Sequence, residues 1–519
     1  MKAYNNNQQL TLSRAAVLAM LLSGSCGNEP AVKISLSEWP AGASIVRLEA
    51  MVNGVKSAVL PPLENQQTQF VIKVPSGSTG TISLIATAFD GASESSCKVA
   101  KGTIDIDIPS GLRSYEERSW LLQKLASKLC TLSVSVQGAV GSVTSVPAGI
   151  SCGPSNGGTC QAEFKSDESV SLIANVDLRW RPSWQGSCFL AGEQCQIKSI
   201  ANSQRIDVSF SQRQCTTSNW CSFSSSNLTT NHLQGVWASS PMDAWAVGQA
   251  GTILHWDGVT WSVVSASIPK SVSFFSVWGS GANDVWAMGP KDQAWHWDGT
   301  SWKSVNLPSS SFADLLIMNI TGSASDDIWA VGSSTTAPTT SGTVYHWDGS
   351  VWSIVSGLPF QSFLYSIWQN KNTKDVWTAG LNQVVYYYSN ATKTWASRNT
   401  GIASANVISL NGNSATDVWN SGASGSAGMV YRWDGTKWIS ISISSYAPSV
   451  VSGIVAPANN DAWAITDSGQ IFHFTGSVAS TATLLDTLPN KPPLAGIWAN
   501  SSTDLWVVGQ NGAIFRRIP

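Results

Sequence analysis

The stretch "DVWAMGPKDQAWHWDGTSW", Asp284 to Trp302, holds four tryptophans in nineteen residues, and "DAWAVGQAGTILHWDGVTW", Asp243 to Trp261, precedes it as a near copy. The D-x-W signal occurs seven times, at Asp243/Trp245, Asp284/Trp286, Asp327/Trp329, Asp375/Trp377, Asp417/Trp419, Asp461/Trp463 and Asp504/Trp506. Successive tryptophans stand 41 to 48 residues apart. A period of this size, built from short apolar runs and turn residues, predicts a β-propeller with one four-stranded blade per repeat.

One repeat reads strand by strand. "LQGVWA", "AWAVG", "TILHW" and "VTWSVV" are the four strands, with Asp257-Gly258 as a two-residue hairpin that sets Trp256 opposite Val259 and Leu254 opposite Trp261. Both faces of an inner blade are covered by neighbours, so the tryptophans are read as fillers of the wedge between blades. Truncating one to alanine should cost roughly 3–5 kcal/mol. The seven aspartates are read as turn-closing acceptors for backbone N–H groups, not as catalytic acids. "YYYSNATKTW" replaces W-D-G-x-x-W in the fourth repeat, "FHFTGSVAS" lacks the closing tryptophan in the sixth, and the seventh ends at Pro519 before a fourth strand. "NWCSFSS", with Trp220, matches the fourth strands elsewhere and is expected to complete the last blade from upstream. Residues 217–519 are thus expected to form seven blades.

The D-V-W-A-V-G and W-D-G-T-x-W cadence resembles propeller lipoproteins of secreted bacterial type, and is loosely similar to Asp-box and Kelch propellers. Asp257 to Trp261 is one residue shorter than an Asp box. The resemblance implies the fold and little about function, because propellers host enzymes and scaffolds alike.

Upstream, residues 1–26 combine Lys2 and Arg14 with a short apolar run, Ala15 to Leu22, and small residues before Cys26. Eight apolar residues are too few to span a bilayer, so this is an export signal. It resembles the lipobox of bacterial lipoproteins, with the leucine one place further from the cysteine. That resemblance implies a lipid anchor on Cys26 and, with Gly27 following, the outer membrane or cell surface; plain secretion is the alternative. Residues 27–112 carry five or more short apolar runs and suggest an immunoglobulin-like sandwich. Residues 113–131 are read as a linker helix, from the capping box Ser114/Glu117 and the spacing of Trp120, Leu121, Leu125 and Leu129. Residues 132–212 form a second small β module, which resembles divergent repeat modules of bacterial surface proteins. The predicted fold class is therefore all-β: a seven-bladed propeller after two small sandwich-like domains and one helix.

Nine cysteines include Cys26 and eight disulfide candidates: Cys97, Cys130, Cys152, Cys160, Cys188, Cys195, Cys215 and Cys221. No C-x-x-C is present and no histidine stands nearby before His232, so disulfides in an oxidising compartment fit better than zinc. Cys152 with Cys160 and Cys188 with Cys195 are the expected short loops, and Cys97 with Cys130 would staple the helix end to a strand. Each short loop would contribute roughly 2–3 kcal/mol.

Charged residues make up 12% of the chain and the net charge is −2, with no basic stripe, which argues against nucleic acid. The chain has no H-E-x-x-H, no G-x-S-x-G and no phosphate-binding glycine loop. Four of its five histidines, His255, His296, His346 and His473, share one third-strand position, which points to packing or a cross-strand hydrogen bond. Arg398, Arg432, Arg516 and Arg517 show no repeat-related convergence. No catalytic residue, cofactor or metal site is assigned. The expectation is a tethered binding, adhesion or scaffold module whose propeller face takes protein or glycan. The alternatives are an extracytoplasmic carbohydrate-active hydrolase or lyase, which needs a close carboxylate pair at the channel, and an outer-membrane assembly factor. The long loop Ser333 to Gly342 is a further candidate for function.

Overall fold

The computed structural model describes residues 10–11, 31–36, 40–41, 43–52, 55–64, 69–73, 78–91, 96–108, 115–191, 193–224, 228–264, 268–290, 293–308, 315–334, 341–359, 362–401, 405–425, 427–443, 450–476 and 483–518. Cys26 and most of the loop Ser333 to Gly342 lie outside them. The described secondary structure is almost entirely strand, and the chain divides into two compact units. The first is Met1–Val176, Pro182–Phe189 and Gln194–Phe210; the second is Asp177–Arg181, Leu190–Glu193 and Ser211–Pro519.

In the first unit, Val55–Glu64, Ile45–Val52, Ser78–Phe89, Lys98–Ile108 and Gln123–Gln137 follow one another across one sheet. Gln123–Gln137 is shared. It pairs with Lys98–Ile108 on the side of the expected first module, and with Gln161–Lys165 and Gln204–Gln212 on that of the second. Ala31–Leu36 lies in a separate sheet between Gln69–Lys73 and Tyr115–Trp120.

The linker helix expected over 113–131 is corrected. Tyr115–Trp120 and Gln123–Gln137 are strands. A spacing of four, as in Leu121, Leu125 and Leu129, satisfies a helical turn and a two-residue strand period equally well. The tie is broken downstream, where Cys130, Leu132, Val134 and Val136 are buried in alternation and find strand partners on either side. Leu122 is buried and Leu121 is 61% exposed, the reverse of the helical reading. Disulfides join Cys97–Cys130, Cys152–Cys160 and Cys188–Cys195 in this unit, and Cys215–Cys221 in the second. Four disulfides indicate an oxidising, extracytoplasmic compartment.

The second unit is a β-propeller. It has seven four-stranded antiparallel sheets among the described residues. The strands of each blade are called a to d from the axis outward; in blade 1 they are Leu233–Ser240, Asp243–Gly248, Ile253–Trp256 and Trp261–Val263. The inner strands touch in succession, and Leu494–Ser501 of blade 7 returns to Leu233–Ser240 of blade 1, so the ring closes. Trp220–Ser222 is strand d of blade 7. It pairs with Ile514–Arg517, so the two ends of the propeller sequence meet in one sheet.

The D-x-W tryptophans are no more than 5% exposed, and each packs against at least one aromatic ring of the next blade. Trp245 lies 5.3 Å from Trp297 and 5.4 Å from Trp302; Trp286 lies 5.2 Å from Trp347 and 5.6 Å from Trp352. Trp377 meets Trp433 and Trp438, and Trp506 meets Trp256 and Trp261 across the closure. Where the repeat departs from its pattern, another ring substitutes: Tyr388 against Trp329, Phe474 against Trp419, and Trp220 against Trp463. The clasp therefore supplies both a strand and the ring that blade 6 needs.

The hairpin between strands c and d is wider than expected. Trp256 pairs with Trp261 rather than with a closer residue, leaving a four-residue loop. The Asp257 carboxylate accepts from the N–H groups of Val259 (2.9 Å) and Thr260 (2.8 Å), which stabilises the longer turn; only Gly258 takes positive φ. Asp298, Asp348 and Asp434 do the same in other blades.

Trp220→Ala should lower the stability of the propeller by about 3–5 kcal/mol, and deletion of residues 217–225 by more. Calorimetry on the full chain checks this; an unchanged melting transition would contradict the closure.

Candidate functional site

The recurring aspartates begin strand b, beside the a–b turn. In blade 1, Asp243 Oδ1 lies 2.6 Å from His255 Nε2 on strand c, and Ser239 donates to Oδ2 at 2.5 Å. His255 stacks on Trp245 with ring centroids 4.2 Å apart. Blade 2 repeats the set with Ser280, Asp284, Trp286 and His296, and blade 3 with Ser323, Asp327, Trp329 and His346. In blade 6, His473 lies 2.7 Å from Asp461 and stacks on Trp463 at 3.9 Å.

The arginine reading is corrected here. Arg432 and Arg516 do occupy a repeat-related position, that of the histidines, opposite Trp419 and Trp506. Each donates its Nε to the local aspartate at 2.7 Å: Arg432 to Asp417 and Arg516 to Asp504. Both pairs are buried. Insertions of varying length in the b–c loops obscured the equivalence in the sequence. In blade 4, Asp375 accepts from the N–H of Asn390 at 2.8 Å and from the Tyr387 hydroxyl.

These carboxylates are structural acceptors. Burial alone would raise Asp243, Asp284 and Asp461, but the hydrogen bonds and charge of the facing histidine, with those of the nearby hydroxyls, outweigh it and hold all three below the usual 3.8. Asp327 is lowered in the same balance, helped by Ser323, Trp329 and Gln369. The turn aspartates Asp348 and Asp434 are held down to about 2, first by backbone N–H donors from Val351 and Lys437 respectively.

An axial cavity of about 580 Å³ lies among the seven inner strands. Side chains of one blade cap the free edge of the next. Asn319 Oδ1 accepts from the N–H of Ile367 at 3.1 Å, Ser366 Oγ from that of Leu410 at 3.0 Å, and Ser409 Oγ from that of Ile454 at 3.2 Å. Where this position is glycine, backbone of the adjacent blade stands close at Gly235 and Gly496, and at Gly453 the space is taken by the Ile465 and Ile497 side chains. At the a–b end the lining includes Gln369, Lys371, Asn372, Asn411, Asn413 and Asn500. The described lining holds no carboxylate, and Lys371 is its one charged residue. Tryptophans near this end, Trp278 and Trp368, are packed against Gly322 and Gly412, where an added Cβ would come within 3 Å of the indole.

The sequence reading missed this lining. A signal was present: the a–b segment of blade 4, "NKNTKD", carries two lysines where the other blades have small or neutral residues, apart from their own aspartates. Among the described residues, no group of three His, Cys, Asp or Glu is arranged to hold a metal, and no helix is long and apolar enough to cross a membrane.

No protein-family model matches the chain, and no curated protein matches it significantly. Among solved structures it is similar to YCF48 bound to a D1 peptide, at 15% identity over 60% of this chain and 100% of that one, with a TM-score of 0.48. It is also similar to YCF48 from Cyanidioschyzon merolae (16%, 58% and 99%, TM-score 0.46) and to streptogramin B lyase (16%, 57% and 96%, TM-score 0.45). Identities this low leave function to be argued from the chain's own residues.

Acid should unfold the propeller. A carboxyl held lower in the folded than in the unfolded state stabilises fully above the unfolded value of 3.8, and that stability is lost as pH falls through the depressed folded values. The melting temperature should hold at pH 5 to 7 and fall steeply below about 4; a flat profile to about pH 2 would contradict the role given to these groups. Asp417→Ala, which leaves Arg432 buried without its anion, should cost about 3–5 kcal/mol by denaturant titration.

Proposed function

We propose that the chain is a cell-envelope protein whose propeller is a non-catalytic binding or scaffold head for protein or glycan. The observation that carries this reading is the division of labour among polar groups. The seven repeated carboxylates are engaged in hydrogen bonds within their own blades, while the open axial mouth presents amides, hydroxyls and one ammonium group among the described residues. Hydrolysis of a glycosidic bond calls for two carboxyl groups at a set separation, and the described residues of the lining include no carboxylate. Such a mouth is suited to holding a ligand by neutral and singly charged hydrogen bonds.

In this proposal, cleavage precedes Cys26 and a lipid on that residue tethers the protein, at the outer membrane or cell surface. Residues 27–112, read as immunoglobulin-like, and the module at 132–212 lie between the anchor and the head in the sequence. The disulfides suit that compartment.

Two experiments test it. Cys26→Ala should move the protein from the membrane fraction to the soluble fraction, and unchanged partitioning would refute the anchor. The mature chain, screened against envelope glycans and surface proteins, should retain a partner without altering it. Steady release of reducing ends or unsaturated products from a polysaccharide panel would replace the binding reading with an enzymatic one.

A further inference from the structure

We propose that the end of the axial cavity where the inner strands begin is a binding site for a small uncharged ligand with an aromatic ring, seated against Phe275, Met318, Tyr365 and Ile408. This goes beyond the macromolecular reading above and does not rest on it.

The inner strands carry a repeated irregularity. In six blades the a–b pairing skips one residue near the start of strand a: Gln234, Met318, Tyr365, Ile408, Ser452 and Ala495. Phe275 stands at the same place in blade 2, directly before Ser276–Gly281. A bulge leaves its extra residue out of the ladder and re-aims the side chain. The residue before each of the seven is buried in the core, from Leu233 in blade 1 to Leu494 in blade 7. The seven themselves are part-exposed and line the cavity. The backbone thus repeats a device that turns one side chain per blade onto the axis, and the side chain differs from blade to blade. Blades 2 to 5 supply a continuous apolar arc, Phe275, Met318, Tyr365 and Ile408, while blades 6, 7 and 1 supply Ser452, Ala495 and Gln234. Large side chains on one side and small ones on the other displace the free space toward Ser452 and Ala495, facing the arc. The cavity volume, about 580 Å³, falls in the range of small-ligand sites.

The ligand chemistry follows from these side chains. Two aromatic rings flank a thioether, and both kinds of group pack favourably against another ring. The Tyr365 ring is held by Phe363, with centroids 4.8 Å apart. Among the described lining residues no charge stands at this end, Lys371 lying at the a–b end, so an ionised ligand would give up hydration without a counter-charge. Two polar groups are open to a ligand. The Tyr365 hydroxyl and the Gln234 amide make no hydrogen bond among the described residues, and neither is sealed from solvent. Burial raises the Tyr365 hydroxyl above its usual 10.0, so it stays neutral and both donates and accepts. Ser452 is already committed, since its hydroxyl donates to the Leu494 carbonyl at 2.7 Å. A ring bearing one amide or hydroxyl meets both the arc and these two groups.

Calorimetric titration of the intact chain tests this with four probes: indole-3-acetamide, its anionic and cationic analogues indole-3-acetate and tryptamine, and octanamide as a neutral amide without a ring. Indole-3-acetamide should bind, and should exceed each of the other three roughly tenfold or more. Ala495→Leu, which fills the free space, should abolish that binding. Met318→Ala, which breaks the arc, should weaken it roughly tenfold. Both variants should keep the melting transition of the parent, because the two side chains are part-exposed. No saturable binding of indole-3-acetamide, equal binding of a charged analogue or of octanamide, or indifference to both substitutions would each overturn the proposal.

Discussion

Each blade is held to the next by an indole. The D-x-W tryptophan of one blade packs against an aromatic ring of its neighbour at 5 to 6 Å, and the contact passes round the ring to blade 1. An isolated four-stranded sheet with two apolar faces could not persist in water, so every blade depends on both neighbours. Two further constraints follow. The ring must close, which the Trp220 strand achieves, and aromatic volume must be kept at each junction, which explains why Tyr388 and Phe474 stand where tryptophan is absent.

The same repeat disposes of its polar groups. An aspartate at the head of strand b would be costly to bury alone. It is met by a histidine stacked on the wedge tryptophan, by an arginine in blades 5 and 7, or by backbone and tyrosine donors in blade 4. Packing and hydrogen bonding are thus one device. The repeated residues are committed to architecture. Lys371 and Asn372 belong to the a–b segment of blade 4 and Gln369 ends its inner strand, which is offset by one residue relative to the blade's aspartate.

Much of this was legible in the sequence, because repetition averages over local ambiguity. Seven copies of D-x-W fixed the period, and the missing last strand pointed to Trp220. A single copy has no such protection. Leu121, Leu125 and Leu129 fit helix and strand alike, and long-range pairing of Gln123–Gln137 with strands on either side decided between them. The turn at Asp257-Gly258 was mistaken for a tight hairpin because the aspartate side chain, not its φ, makes the loop. The cavity lining could not be anticipated strand by strand, since it exists only once seven inner edges face one axis.

Those inner edges bear most directly on the account, because an open strand edge exchanges its amides freely and a capped one does not. Native-state hydrogen exchange on Ile367, Leu410 and Ile454 reads them out. If side chains of the preceding blade hold these N–H groups in a closed ring, all three should exchange only through global unfolding, as slowly as the strand b amides. Exchange of these three within minutes, while the strand b amides stay protected, would contradict it.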